Sequence, residues 1–128
     1  MLLTSDDLTD MGYYNAGDFL QARKSSMLDY SNWVEGKILT QGQDRLVENT
    51  LGLVGEAGEV AEKIKKLIRD ATRFNNEEIA KELGDVIFYA TALGNYYGYT
   101  LQEVINMNMA KLDGREERGT LRGSGDNR

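Results

Sequence analysis

Apolar residues recur at helical spacing through the middle of the chain. From residue 46 to residue 71 they follow alternating steps of four and three, the pattern of one apolar stripe on a long bundle helix. The stripe consists of Leu46, Thr50, Leu53, Ala57, Val60, Ile64, Leu67 and Ala71. The sequence contains no proline, so nothing in it breaks a helix outright. We therefore predict an all-α fold.

The pattern before this helix is weaker. Residues 13–30 predict a first helix, whose apolar positions are Phe19, Leu20, Met27 and Leu28. Residues 31–43 contain Ser31, Gly36 and Gly42, residue types that punctuate helices, and predict a loop. This loop carries the single tryptophan, Trp33.

Two capping signals predict the starts of two further helices. Asn75 with Glu78, and Thr100 with Glu103, have the three-residue spacing of a capping box. The apolar positions that follow are Ile79, Leu83, Val86, Ala90, Leu93 and Tyr97 in one helix, and Leu101, Val104, Ile105 and Leu112, interrupted by Asn108, in the other. Glycine and charge dominate from Gly114 on, which predicts an irregular tail after a helical core of residues 13–115. We expect residues 1–128 to form one four-helix domain.

Composition restricts the chemistry of any site. The chain has no histidine and no cysteine, which excludes thiol nucleophiles, zinc-thiolate sites and the usual general base. A metal site must use oxygen ligands, which favour Mg²⁺, Mn²⁺ or Ca²⁺. A net charge of -6 argues against a nucleic acid polymer as partner. No apolar run reaches the length of a membrane span and the first residues lack a basic leader, so we predict a cytoplasmic protein.

Four carboxylates stand out by their spacing. Glu56 and Glu59 share one face of the long helix, and Glu82 and Asp85 share one face of the next. If the two helices run antiparallel, the four groups converge, and their repulsion calls for a divalent cation. The alternative is a solvated helix surface, but Asp85 precedes an almost wholly apolar stretch, residues 86–90. Glycines 52, 55 and 58 lie inside the long helix and predict a close approach there.

These residues also carry a family resemblance. Residues 51–63, LGLVGEAGEVAEK, followed by KELGD at residues 81–85, resemble the E-x-x-E and E-x-x-D motifs of MazG-like all-α nucleoside triphosphate pyrophosphohydrolases. That group includes the dCTP pyrophosphatases, the dimeric dUTPases and phosphoribosyl-ATP pyrophosphohydrolase. The resemblance spans residues 46–128 and implies that Glu56, Glu59, Glu82 and Asp85 bind Mg²⁺, with Mn²⁺ as a substitute. It also implies that water attacks the α-phosphorus of a nucleoside triphosphate, releasing the monophosphate and pyrophosphate.

The fourth helix and the tail extend the resemblance. Asn108, Lys111 and Arg115 match the family's N-x-x-K-x-x-x-R segment, which implies contacts to phosphate and sugar. Arg118 joins these cations, and the glycine-rich tail offers backbone N–H groups to phosphate. The alternatives are a basic last turn that complements the helix dipole, and a frayed terminus.

Two aromatic residues are further candidates for contacting the substrate. Tyr89 lies one turn after Asp85, and we assign it and Trp33 to the sugar and the base. The alternatives are a core position for Tyr89 and a subunit interface for Trp33.

The sequence is compatible with three functions. The first is an enzyme cleaving nucleoside triphosphates, the second a non-catalytic helical oligomerisation module, and the third a nucleotide or Mg²⁺ sensor. The presence of all four acids favours the enzyme over the sensor. The resemblance, and the small core of a chain this short, predict a homotetramer or else a dimer.

Overall fold

A computed structural model describes residues 16–71 and 75–128, with side chains from residue 27 onward. It contains four helices: α1, Ala16–Lys37; α2, Gly42–Arg69; α3, Asn76–Tyr96; and α4, Leu101–Glu117. No strand occurs in these ranges, so the all-α prediction is confirmed. None of the helices in the described ranges combines the length and the apolar character that crossing a membrane requires.

Helix α1 extends further than the sequence predicted. The expected loop over residues 31–43 is wrong, because α1 continues to Lys37 and α2 begins at Gly42. Tertiary contacts explain the difference. Val34 is completely buried, and the Ser31 hydroxyl accepts a hydrogen bond of 3.0 Å from the Leu101 amide. The predicted start at residue 13 and the side chains of Phe19 and Leu20 lie outside the described residues.

Both predicted capping boxes are confirmed. Asn75 accepts from the Glu78 amide at 2.8 Å while Glu78 accepts from the Asn75 amide at 2.7 Å, which starts α3. Thr100 and Glu103 make the same reciprocal pair before α4. Helix α4 continues two residues beyond the expected end of the helical core at residue 115, and residues 118–128, which we call the tail segment, form turns rather than a helix.

Helix α3 is the centre of the described fold. It packs against α1, α2 and α4, whereas α2 and α4 make no contact with each other in the described ranges. Arg45 ties three helices together. Its guanidinium donates to both Glu35 oxygens, at 2.6 and 2.8 Å, and to the Ala92 carbonyl at 3.1 Å. This places α1 and α2 on one α3 segment.

The apolar stripes are less buried than their spacing suggests. The hydrophobic residues that are fully enclosed, among those with described side chains, are Val34 and Ala92. The stripe of α2 is half-buried at Leu53 and Val60 but exposed at Ile64. Helix α2 lies between one neighbour and open space, because it contacts α3 and does not reach α4. A single chain therefore covers only part of each stripe.

Candidate metal centre

Three of the four predicted acids converge. Oxygens of Glu56, on α2, and of Glu82 and Asp85, on α3, all lie within 4.8 Å of one another. We call these three residues the acid cluster. It forms because α2 and α3 pack side by side, and because the three-residue spacing keeps Glu82 and Asp85 on one face.

The acid cluster is electrostatically strained. Partial burial raises the pKa of Glu56 above its ordinary value, and the negative charges of Asp85, Glu82 and Glu59 raise it further. Carboxylates that disfavour each other's ionisation are stabilised by a cation placed between them.

The donor set fits a hard divalent ion. All ligands are carboxylate oxygens, which Mg²⁺ and Mn²⁺ accept. Oxygens on opposite sides of Mg²⁺, each about 2.1 Å away, lie about 4.2 Å apart. The separations within 4.8 Å therefore need only a small side-chain rotation to reach coordination distance.

Two features differ from the sequence picture. Asp85 is exposed, so the apolar residues that follow it do not enclose it in one chain. Glu59 is also exposed and lies outside the acid cluster, although its charge acts on Glu56. Glu82 has a neighbouring cation, because Lys63 Nζ lies 3.9 Å from its Oε1.

Four aromatic side chains, which we call the aromatic row, contact one another in sequence and begin near Asp85: Tyr30, Trp33, Phe88 and Tyr89. Trp33 stacks on Tyr30 at 5.8 Å between ring centroids and meets the Phe88 ring edge-on at 6.0 Å. Phe88 in turn meets Tyr89 edge-on at 5.2 Å. Burial raises the pKa of the Tyr30 hydroxyl, and the nearby charge of Asp85 adds to this effect. The aromatic row therefore begins beside the acids.

Tyr89 packs directly on the backbone of α2. A Cβ atom added to Gly52 would lie 2.6 Å from Tyr89 Cζ and 2.7 Å from Cδ1. The close approach predicted for the α2 glycines therefore occurs at Gly52. It does not occur at Gly55 or Gly58, where an added Cβ would have no neighbour within 4 Å.

The predicted phosphate ligands of α4 border an open groove. The groove has a volume of about 540 Å³. Helices α3 and α4 line it with Ala90, Leu93, Gly94, Tyr97, Tyr99, Val104, Met107, Asn108 and Lys111. Asn108 is exposed, although it lies among the apolar positions of α4.

The remaining cations contact the tail segment. Arg115 is buried, with 4% of its surface exposed. Its Nη2 donates to the Gly125 carbonyl at 3.2 Å and to Asp126 Oδ1 at 3.3 Å. Lys111 Nζ reaches the same Asp126 oxygen at 3.5 Å. Arg118 donates to the Arg128 carbonyl at 2.8 Å.

Sequence reasoning missed Tyr30, Lys63 and Asp126. Tyr30 and Trp33 have i,i+3 spacing, a signal that the loop prediction obscured. Asp126 is the single acid of the tail segment, which otherwise carries three arginines. A lone carboxylate among cations indicates an ion pair, and that signal was available.

Comparison with known proteins agrees with this geometry. Residues 45–120 match the family described as the MazG nucleotide pyrophosphohydrolase domain. The chain is 47% identical over 83 residues to the Gene 37 protein of Mycobacterium phage L5, an alignment covering 62% of this chain and 73% of that protein. No solved structure matches it. The matched residues include the whole acid cluster, and the chain belongs to the MazG nucleotide pyrophosphohydrolase family.

Proposed function

We propose that this protein hydrolyses nucleoside triphosphates to the monophosphate and pyrophosphate in a Mg²⁺-dependent reaction. Family membership supports nucleotide pyrophosphohydrolase activity, and proteins of this family are typically dependent on a divalent metal. The observation that carries the proposal is the acid cluster, whose three carboxylates approach one point from two helices.

The acids divide into two groups by position. Glu56, Glu82 and Asp85 hold the ion, and Glu59 is the fourth ligand or the group that orients the attacking water. Glu59 suits either role because it lies one turn from Glu56, on which its charge acts, and its side chain is exposed. When bound, Mg²⁺ neutralises phosphate charge and makes water a better nucleophile at neutral pH.

The cations of α4 face the leaving group in this proposal. Lys111, on the groove, contacts the β- and γ-phosphates, and Asn108 contacts the sugar or a phosphate oxygen. Arg115 and Arg118 add positive charge, which stabilises the departing pyrophosphate. In this arrangement the cations bind the β- and γ-phosphates, which leave as pyrophosphate, and the acids with their ion lie at the α-phosphate. Water therefore attacks the α-phosphorus.

The aromatic row provides a surface for the nucleoside. Trp33 is 52% exposed, and its stack on Tyr30 fixes the ring plane. An exposed, oriented aromatic ring binds a base by stacking. Tyr89, held between Gly52 and Phe88, contacts the sugar. We expect a preference for deoxynucleotides, with dGTP or dCTP favoured.

A substrate panel tests the reaction. The protein is incubated with each ribo- and deoxynucleoside triphosphate and Mg²⁺, and pyrophosphate and orthophosphate are measured separately. We expect monophosphate and pyrophosphate without a diphosphate intermediate, with label from ¹⁸O-water in the monophosphate. Label in orthophosphate, with diphosphate accumulating, would contradict attack at the α-phosphorus. Absence of turnover with every substrate would favour the sensor or oligomerisation function instead.

We also propose that the chain assembles into a homotetramer or a dimer. Large apolar side chains stand on one side of α2, where Leu51 is 66% and Ile68 80% exposed. Val47 and Val54, which are also exposed, lie four residues before and three residues after Leu51, so these three side chains form an apolar stripe on the first half of α2. Burial of such a stripe against a second copy is favourable. Light scattering that shows a stable, active monomer would reject this assembly.

A further inference from the structure

The tail segment is tied to α4 by one carboxylate that contacts two cations. Asp126 Oδ1 lies 3.5 Å from Lys111 Nζ and 3.3 Å from Arg115 Nη2. The two cations differ in access to solvent. The Lys111 side chain is 42% exposed, whereas that of Arg115 is 5% exposed. Lys111 also lines the groove, so it is the member of this group that a ligand can reach directly.

We propose that Asp126 is a positioning residue, which holds the Lys111 ammonium at the groove so that it can bind the phosphates of the substrate. This inference rests on the proposed function, since it concerns the binding of the same polyphosphate. Asp126 itself touches no phosphate in this proposal.

The alternative role for Asp126 is that of a competitor, which occupies the cations until phosphate displaces it. The burial of Arg115 argues against displacement. A buried guanidinium needs a counter-charge, and removing that partner leaves a desolvated charge uncompensated. Asp126 is the carboxylate that contacts it among the described residues, and the positive charge of Lys111 followed by the Arg115 hydrogen bond lowers the pKa of Asp126. Asp126 is thus expected to remain ionised and in place when a ligand binds.

The tail segment is built to hold Asp126 where it is. The Arg128 guanidinium donates to three carbonyls, those of Thr120 at 3.0 Å, Leu121 at 3.0 Å and Gly125 at 2.6 Å. Gly125 has a φ of 85°, a conformation that glycine adopts without strain. The Thr120 amide also donates to the Arg115 carbonyl at 2.8 Å. These bonds fix the turn that precedes Asp126.

Holding Lys111 in place before phosphate binds should have a measurable effect on the affinity for phosphate. A free lysine loses rotamer freedom when it binds phosphate, and a lysine already held by a carboxylate loses less. Losing this advantage for one side chain weakens binding by about three- to tenfold.

The experiment measures the affinity for inorganic tripolyphosphate by calorimetry in the absence of metal. We expect Asp126→Asn to weaken binding about three- to tenfold. Asp113→Asn is the matched control: it removes the same charge from an exposed α4 position that faces away from Lys111. We expect it to change the affinity by less than about twofold, as for other exposed charges.

A double-mutant cycle separates positioning from a general effect on the fold. If Asp126 acts through Lys111, Asp126→Asn has no further effect in a Lys111→Ala background. Additive losses, unchanged affinity or tighter binding in Asp126→Asn would each overturn the inference, and so would a wild-type chain that does not bind tripolyphosphate.

Kinetics provide the second readout. In an active enzyme, Asp126→Asn should raise KM more than it lowers kcat, because Asp126 acts through Lys111 on the binding of the substrate phosphates. A fall in kcat at constant KM would overturn the inference. The calorimetric result does not require turnover. If no nucleotide is hydrolysed but the cycle behaves as expected, the proposed function fails and the role of Asp126 stands.

Discussion

Replacing Gly52 by alanine should destabilise the protein through Tyr89. The added Cβ would lie 2.6 Å from Tyr89 Cζ and 2.7 Å from Cδ1, about 1 Å inside normal contact distance. The ring also meets Phe88 edge-on at 5.2 Å, so moving away from α2 would disturb that contact. Overpacking of this kind costs about 1–3 kcal/mol. The gain in helix propensity from glycine to alanine returns about 1 kcal/mol. We expect a net loss of up to about 2 kcal/mol in the free energy of unfolding.

Gly55 provides the matched control in the same helix. An added Cβ there meets nothing within 4 Å, so Gly55→Ala keeps only the propensity gain of about 1 kcal/mol. Urea unfolding followed by circular dichroism, at one protein concentration, compares the two variants. Gly52→Ala should therefore be less stable than Gly55→Ala, and equal stability of the two variants would refute the steric argument. In a Tyr89→Ala background, Gly52→Ala should become stabilising, since the clash is absent.

The same substitution should weaken metal binding. Gly52 lies one turn before Glu56, and Tyr89 one turn after Asp85, so separating α2 from α3 at this contact also separates the acids. Each variant is heated with and without Mg²⁺, and the rise in Tm that the ion causes reports its affinity. We expect a smaller rise in Gly52→Ala than in Gly55→Ala.

Three other predictions concern the acids and the Arg45 contact. Asp85→Asn or Glu59→Gln should abolish turnover and leave the helical content intact; near-normal activity of either variant at saturating Mg²⁺ would contradict this. Asp85→Asn should also raise the Tm of the metal-free protein, because it relieves repulsion on Glu56. The raised pKa of Glu56 means that the folded state binds its proton more readily than the unfolded state. The contribution of Glu56 to the stability of the metal-free protein should therefore fall as pH rises through the range just above 4.5. Measuring Tm against pH tests this, and Glu56→Gln should remove the fall. Arg45→Lys loses one of the two hydrogen bonds to Glu35. Because the Glu35 side chain is 48% exposed, we expect the free energy of unfolding in urea to fall by only about 1 kcal/mol. An unchanged free energy of unfolding would show that the pair does not stabilise the fold.

Local signals in the sequence predicted the parts of the fold that local interactions determine. The starts of α3 and α4 depend on hydrogen bonds between residues three apart, as in Asn75 with Glu78 and Thr100 with Glu103. The same holds for the acids, since Glu82 and Asp85 share a face of α3 through helix geometry alone. Their convergence with Glu56 needed only the packing of α2 against α3.

Features that depend on distant residues were not predictable in this way. Ser31 and Gly36 have low helix propensity, yet α1 passes through both. It does so because Ser31 bonds to the start of α4 and Val34 is enclosed. The hydrogen bond from Arg115 likewise reaches Asp126, which lies eleven residues further along the chain.

The exposure of Asp85 and the exposure of large apolar side chains on α2 have one cause in this fold. Helix α3 is the shared partner of the other helices, while α2 and α4 do not meet in the described ranges. Side chains of α2 that do not face α3 are therefore left open, as Leu51 and Ile68 are. An apolar neighbourhood in the sequence indicates burial only where another element covers it, and around Asp85 one chain supplies too few elements to do so. The acid cluster is accordingly an open site in the single chain, accessible to a hydrated cation and to a phosphate chain.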